Sequence, residues 1–426
     1  MPLGIQDRRF EVVHGPPRAN SGSVTARSRG GLTSSAGTGS KSDDITTARR
    51  PGTRLLFVVN HAGFFISHRL KLALAACDAG YDVHVATPRS KHVPQLQGSG
   101  ITWHELRLSR SGMNPLAEWR SFRRLCELYR CLRPDLVHHV TSKPVLYGTI
   151  AARIAATPAV VNAISGMGHA YAGAGLVARL LRAVVLAGYR FALRHPRMRL
   201  IVQNRDHQQL FASRRWINAP DVVVIPGSGV DLRRFVPRSV HRCGTVRIVL
   251  ASRLLYTKGV ADFVAAARLL KQRGLDVQCV LVGEPDPDNP ASIPATVLQE
   301  WHTEGVVDYR GRQDEMPLEF ADTDIVCLPT YYGEGIPKVL VEAAACGLPI
   351  VTTDWPGCRE VVAHGENGLL VPIRNPQALA AALETLARDA ALRLEMGRRG
   401  RARIEGEYSL DSVIYRTLVL YRELVT

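Results

Sequence analysis

YYGEGIPKVLVEAAACGLPIVTTDWPGCREVV, residues 331–362, sets two glutamates, Glu334 and Glu342, eight positions apart across the start of a helix. Pro337 suits the first helical position, where its missing N–H is no loss and its fixed φ is already helical. Gly333 and Gly335 let the preceding backbone come close to a ligand. The free N–H groups from 336 to 339 then face an anion, and the helix dipole favours a diphosphate there. Glu334 stands in the loop beside that point, and Glu342, in the second turn, is placed to accept two hydrogen bonds from a vicinal diol such as a ribose. The same string carries the apolar spacing of a core-facing helix through Val339, Leu340, Ala343, Ala344 and Cys346, in which Glu342 is a solvated residue.

Working outward, short β-branched runs alternate with helical patterns on both sides. Around the string they are VRIVLAS (246–252), VQCVLVG (277–283), VVDYRG (306–311), DIVCLPT (324–330), PIVTT (349–353) and GLLVP (368–372), with segments such as GVADFVAAARLLKQRG (259–274) between them. Earlier come RLLFVVN (54–60), YDVHVAT (81–87), DLVHHV (135–140), AVVNA (159–163), RLIVQ (199–203) and DVVVI (221–225). Such alternation predicts parallel sheets joined by crossover helices, an α/β fold. PGSGVDLRRFVP (226–237) reads as a linker, which sets domains at 53–235 and 236–408. SLDSVIYRTLVLYRELV predicts a terminal amphipathic helix within 409–426. The Ser-, Gly-, Thr- and Arg-rich stretch 1–52 predicts a disordered tail, or a misplaced start.

A chain of 426 residues suffices for two ordinary domains, and 46% hydrophobic content fits packed cores. A net charge of +16 attracts anions, whether nucleic acid, acidic lipid or phosphates. No RNP-like aromatic motif, Cys/His zinc spacing or basic-region heptad accompanies the charge, which argues against nucleic acid. The eight cysteines form no C-x-x-C pair, and Cys279 and Cys327 sit in apolar runs, where Cys behaves as a small hydrophobe. A reducing, cytosolic compartment follows. Arg8, Arg9 and Phe10 lack the apolar core of an export signal after them, and no apolar run reaches the length that spans a bilayer.

Other loops of the second series converge on a nucleotide diphosphate. In ASRLLYTKGV (251–260) Arg253 follows a strand and Lys258 precedes a helix. A guanidinium and an ammonium there neutralise two phosphates, although two loop cations also read as solvated surface. LVGEPDPDNP (281–290) runs a strand into Gly283 and a Pro/Asp-rich loop at a carboxyl strand end, where open α/β sheets bind ligands. Asp286 and Asp288 in that loop read as turn chemistry in preference to a metal site. No metal or other cofactor is needed, since Arg253, Lys258 and the helix N-terminus are placed to stabilise charge on a departing diphosphate.

From Glu334 to Val362 the string reads E-G-x-P, four residues, E-A-x-A-x-G-x-P, then a strand and a loop ending G-x-x-E-V-V. It resembles the donor-site signature of the retaining glycosyltransferases of family 4. The resemblance implies the GT-B fold, two Rossmann-like domains facing a cleft, with the C-terminal helix crossing back to the first. It implies a nucleotide-sugar donor, UDP foremost, with Glu334 as the catalytic carboxylate beside the sugar and Glu342 on the ribose. Arg253 and Lys258 match the family's Arg, short loop and Lys-Gly, and Gly335, Ile336, Pro337, Lys338 and Val339 match its helix start. VDYRGRQDEMP (307–317) is similar to the segment whose backbone receives the nucleobase, which marks Tyr309, Gly311 and Arg312. Retention by front-face attack, the leaving phosphate taking the acceptor's proton, is implied as well. The paired carboxylates of glycosidases are not, because both glutamates lie along one helix start.

VVNHAGFFISHRLKLALAACDAGYDVHVATP (58–88) is similar to the start of many members, where a Gly-containing loop approaches the pyrophosphate. Gly63 is expected in that loop, with His68 and Arg69 either binding an anionic acceptor or merely exposed. HHVTSKPVLYGTIAARIAATPAVVNAISGMGHAY (138–171) resembles a branch that extends undecaprenyl-diphosphate-linked sugars. It points to His138 or His139, Lys143 and the 165–169 loop at consecutive strand ends. Ser165 stands where relatives place a His directly after the strand, and His169, four residues later, becomes the catalytic candidate. The implied acceptor is a lipid-linked saccharide of cell-surface polysaccharide, met by a cytoplasmic protein held peripherally on the inner face of the membrane. GLVARLLRAVVLAGYRFALRHPRMR (175–199), apolar and studded with arginines, predicts either a surface helix on anionic lipid or a packed helix between domains. A nucleotide-sugar epimerase of the same fold, or an idle binding protein, is the alternative function.

Overall fold

The β-branched runs become strands of two sheets, each flanked by helices that cover apolar faces. The computed structural model describes Val12–Val13 and residues 52–108, 114–164, 166, 179, 186–213, 217–237 and 244–426. In chain order the strands are β1 (Val12–Val13), β2 (Arg54–Val59), β3 (Asp82–Thr87), β4 (Thr102–Glu105), β5 (Leu136–Val140), β6 (Ala159–Ile164) and β7 (Met198–Val202). They continue with β8 (Val222–Val224), β9 (Val246–Ala251), β10 (Val277–Val282), β11 (Asp308–Tyr309), β12 (Ile325–Leu328), β13 (Ile350–Thr353) and β14 (Gly368–Val371). The first sheet runs β1-β4-β3-β2-β5-β6-β7-β8 and the second β11-β10-β9-β12-β13-β14.

Every expected strand is present. β4, from the sequence TWHE, lacks the apolar run that marks the others and adds to the expected set. It pairs parallel with β3 and, on its other side, antiparallel with β1, where Val12 lies opposite His104. β1 falls within the stretch expected to be a disordered tail; apart from it and Gly52, that stretch lies outside the described residues. In the second sheet every neighbouring pair is parallel. The two helix-flanked, largely parallel sheets are Rossmann-like, as expected.

Contacts divide the chain into two units. One comprises Met1–His139, Ala151–Ala159 and Val425; the other comprises Val140–Ile150, Val160–Leu424 and Thr426. The core of the first includes Leu55, Phe57, Val83 and Val85, all buried, with the Phe57 and Phe65 rings in edge contact at 5.7 Å. In the second, Ile248, Leu250, Leu281 and Ile325 pack with Phe263 and Leu270 of the helix Val260–Gln272, Leu340 and Ala344 of Lys338–Ala345, and Leu379 and Leu383 of Pro376–Arg388. Cys279, Cys327, Cys346 and Cys358 are free and buried in this core. Burial pushes the Cys279, Cys346 and Cys358 thiols up to about 12, so they act as small hydrophobes.

The segment read as a linker is fastened within the larger unit. Val230 donates its N–H to the Tyr408 carbonyl at 2.9 Å and accepts from Leu410 N–H at 2.8 Å. Gly229 sits there at φ +72, and a β-carbon on it would meet Leu410 Cα at 2.6 Å. The terminal helix, Leu410–Val425, starts from Ser409, whose side chain accepts from Ser412 N–H at 3.2 Å. Arg416 Nη2 donates to the carbonyl of Val224 at 2.5 Å, so this helix reaches the last strand of the first sheet. Among the described residues no helix is long and apolar enough to cross a membrane.

The second sheet has a topological switch point. Its strand order departs in opposite directions from β9 and β12, with β10 and β11 on one side and β13 and β14 on the other. Loops leaving the carboxyl ends of two such strands diverge and leave a crevice, the place where open α/β sheets bind ligands.

Candidate functional site

Arg253 and Lys258 leave the carboxyl end of β9. The loop is held by backbone bonds from Leu254 N–H to Glu284 O and from Tyr256 N–H to Ala291 O, at 3.0 and 2.9 Å. It closes in a 3-10 turn, Tyr256–Lys258, followed by Gly259 at φ 72. Only glycine fits there, since a β-carbon would lie 2.1 Å from the Pro329 carbonyl oxygen. Tyr331 N–H donates to Thr257 O at 3.0 Å, which ties this loop to the one leaving β12.

That second loop carries Glu334. Trp355 Nε1 donates to Tyr332 O at 3.0 Å, and Glu334 N–H to the same carbonyl at 2.8 Å. So fixed, the Glu334 carboxylate pairs with the ammonium of Lys258, whose side chain is only 8% exposed. Arg253 Nη1 donates to Asp286 Oδ2 at 2.6 Å. The Tyr332 ring lies against both cations, its centroid 5.7 Å from Arg253 Cζ and 5.5 Å from Lys258 Nζ. Burial works against the Arg253 charge, but the bond to Asp286 and the neighbouring Tyr332 outweigh it and hold its pKa above the ordinary value. Arg253, Lys258 and Glu334 thus meet where the loops leave β9 and β12.

The helix after this loop runs Lys338–Ala345 with Pro337 as its N-cap, one position earlier than expected. The Ile336 N–H, expected to face an anion, instead donates to Gln203 Oε1 at 2.9 Å. Asn204 Nδ2 donates to Gly335 O at 3.2 Å beside it. Among the described residues no group accepts from the amides of Lys338 and Val339, which remain as the helix-start donors. Glu342 is buried, and its carboxylate is bonded to Lys338 Nζ at 2.9 Å.

Gly283, at the end of β10, has φ 136, and a β-carbon there would come 1.8 Å from Ser252 O. Its N–H donates to Gly311 O at 2.8 Å, which joins the loops after β10 and β11. Gly311 has φ +64 with open space around the position of a β-carbon. Tyr309 is half-buried in β11, and Arg312 is exposed and paired with Asp314 at 2.8 Å.

The expected acceptor residues fare differently. Gly63 is in the first turn of the helix Ala62–His68, not in a loop, and a β-carbon on it would sit 3.0 Å from the rings of His61 and His92. His68 is bonded to Ser67 Oγ at 2.7 Å and stacked on Phe64 at 4.1 Å. Arg69, at 5% exposure, is buried where an acceptor ligand or a merely exposed residue was expected. His139 is fully buried, its Nε2 2.7 Å from Tyr129 Oη. His138 beside it is buried too; burial, then Arg69 and His139, keep its ring well below the ordinary pKa and neutral. Lys143 is the second residue of the helix Ser142–Ile154 after β5, which follows Thr141, a non-glycine residue at φ 77. Ser165 and His169 lie outside the described residues, as do 175–178 and 180–185 of the basic stretch. Gly166, from the same loop, is described: a β-carbon on it would lie 2.5 Å from Gly333 O and 2.8 Å from Glu334 Cα.

Four residues join the site without having been singled out for it: Asp286, read as turn chemistry, and Tyr332, Gln203 and Asn204. Asp286 does serve its turn, donating its N–H to Ser292 Oγ at 2.9 Å, while its carboxylate accepts from Arg253. Gln203 and Asn204 directly follow β7, and position at a carboxyl strand end was the available signal.

Two family models match the chain. The model described as "Glycosyl transferases group 1" matches residues 245–389, and "Glycosyl transferase 4-like" matches residues 54–204. Over 380 residues, 86% of this chain and 98% of the relative, the chain is 26% identical to the N,N'-diacetylbacillosaminyl-diphospho-undecaprenol alpha-1,3-N-acetylgalactosaminyltransferase of Campylobacter jejuni. It is 28% identical over 278 residues, 58% of this chain and 67% of the relative, to the amylovoran biosynthesis glycosyltransferase AmsK of Erwinia amylovora. Among solved structures, sucrose-phosphate synthase from Thermosynechococcus elongatus matches with TM-score 0.72 at 19% identity, covering 87% of this chain and 99% of that one. Anabaena Alr3699/HepE, solved with UDP and glucose, matches with TM-score 0.70 at 19% identity, covering 87% and 100%. The fold is that of the GT-B glycosyltransferases.

Proposed function

Because this chain belongs to the hexosyl-transferring glycosyltransferases that join a 4-like domain to a group 1 domain, we propose that it is a retaining enzyme that moves a sugar from a UDP-sugar to a lipid-linked saccharide in cell-surface polysaccharide synthesis. The observation that carries this reading is the meeting of Arg253, Lys258 and Glu334 at the switch point between β9 and β12. Two cations there suit a diphosphate, and a carboxylate beside them suits the sugar attached to it.

In this reading the acceptor hydroxyl attacks C1 from the face that the diphosphate leaves. The bond from C1 to the diphosphate oxygen breaks, the new glycosidic bond forms, and the acceptor proton passes to the departing phosphate oxygen. Arg253, Lys258 and the Lys338 and Val339 amides meet the charge that develops on the diphosphate, without a metal ion. Glu334 stabilises positive charge near C1, Glu342 receives the ribose, and the loops at Gly283 and Gly311 receive the base. The 165–169 loop, with His169, serves the acceptor; Gly166 against Gly333 supports that placement.

The lipid-linked acceptor is supported by the Campylobacter relative, whose name places its acceptor on diphospho-undecaprenol. A place on the inner membrane face is supported by the helix Pro115–Leu132. Its outward face exposes Leu116 and Trp119, at 68% and 62%, among the exposed arginines 120, 123, 124 and 130, while Leu125, Leu128 and Tyr129 are buried on the opposite face. A tryptophan set among arginines fits the interface of an anionic bilayer.

The test is a panel of nucleotide sugars assayed for nucleotide release with and without polyprenyl-diphosphate-linked saccharides. Release of UDP that depends on the acceptor is expected. Release of GDP alone, or no release with any acceptor, contradicts the proposal.

A further inference from the structure

Each cation assigned to the diphosphate has a carboxylate partner inside the protein. Arg253 Nη1 is 2.6 Å from Asp286 Oδ2, and Lys258 is paired with Glu334. Two positive and two negative groups make this cradle neutral, which is a poor host for a dianion unless the pairs open. The partners differ in freedom. Asp286 is 10% exposed and anchored by its own backbone, through N–H to Ser292 Oγ at 2.9 Å and carbonyl to Asn289 N–H at 2.8 Å. The Arg253 side chain is 39% exposed and carries five donors in a fork, so it can turn to a new acceptor while Asp286 stays.

We infer that donor binding is an exchange of counter-ions, in which the diphosphate takes Arg253 from Asp286 and Lys258 from Glu334, and that Asp286 is the residue that sets how tightly the donor is held. This rests on the nucleotide-sugar reading above. Asp286 remains beside the bound phosphate as a like charge, which weakens the complex and lets the nucleoside diphosphate leave after transfer. The same exchange releases the Glu334 carboxylate, so it becomes available to the sugar only when a diphosphate has taken Lys258. Asp286 is thus a positioning residue that acts through Arg253, whereas Glu334 has two partners in turn.

Calorimetric binding of UDP to the full chain, at low and high salt, tests this with wild type, Asp286→Asn, Asp286→Glu and Glu334→Gln. Removing either negative charge should tighten UDP about two- to fivefold, the scale of a partly exposed ion pair. The affinity of both charge-removing variants should also fall more steeply with added salt, because an uncompensated cation is exposed to screening. Asp286→Glu should keep wild-type affinity. A purely structural Asp286 predicts the opposite for Asp286→Asn, weaker binding with a misplaced Arg253. Wild type that binds UDP while both charge-removing variants bind it equally or more weakly overturns the exchange and leaves the nucleotide-sugar reading standing. Failure of every form to bind UDP or GDP overturns both.

Discussion

At Gly357 the chain has no room for a β-carbon: the residue has φ +85, and a β-carbon would lie 1.7 Å from Gly335 O. Gly335 belongs to the loop that presents Glu334, so Gly357 lets two backbones of the site touch. Gly357→Ala should therefore cost about 1–3 kcal/mol of stability from the strained backbone alone, and more as the Gly335 loop moves. Denaturant unfolding together with sugar transfer checks this, and a variant with unchanged midpoint and turnover contradicts it. Gly357 opens the G-x-x-E-V-V end of the 331–362 string, and residues this close in sequence made the donor side legible. Asp286 and Gln203 were not, because their partners lie 33 and 133 positions away. His139 shows a different limit. All five residues of β5 are buried, so the strand has no alternation to tell its two histidines apart.

Elements with a strong apolar period were read correctly, and those without one were not. Three of the four residues of β4 are polar or charged, so its sequence resembles a loop. The helix around Gly63 starts from His61, whose Nδ1 accepts from Phe64 N–H at 3.0 Å, and histidine is not among the usual capping residues that announce a helix. The helix Pro115–Leu132 has a regular start at Asn114, with Pro115 in its first turn, yet its outward face breaks the usual polar pattern by exposing Leu116 and Trp119. That break is the basis of the proposed membrane role. In flotation at low salt the chain should rise with vesicles containing anionic lipid and remain behind with neutral ones. Trp119→Ser combined with Arg123→Ser should weaken the association severalfold, since both the apolar wedge and part of the attraction are lost. No flotation of the wild type with anionic vesicles contradicts the assignment.

At the scale of the whole molecule, two Rossmann-like sheets were legible because parallel strands buried on both faces leave near-continuous β-branched runs. The second sheet then fixes the chemistry by topology: its order divides between β9 and β12, and the loops from those two strands bring Lys258 and Glu334 into one ion pair across 76 positions of sequence. Conversion of Glu334 to alanine tests the central claim most directly, with turnover followed as acceptor-dependent release of UDP. The account predicts a folded protein whose transfer falls by about a hundred- to a thousandfold, the usual loss of a group that stabilises transition-state charge. A folded Glu334→Ala protein that transfers sugar at the wild-type rate would contradict it.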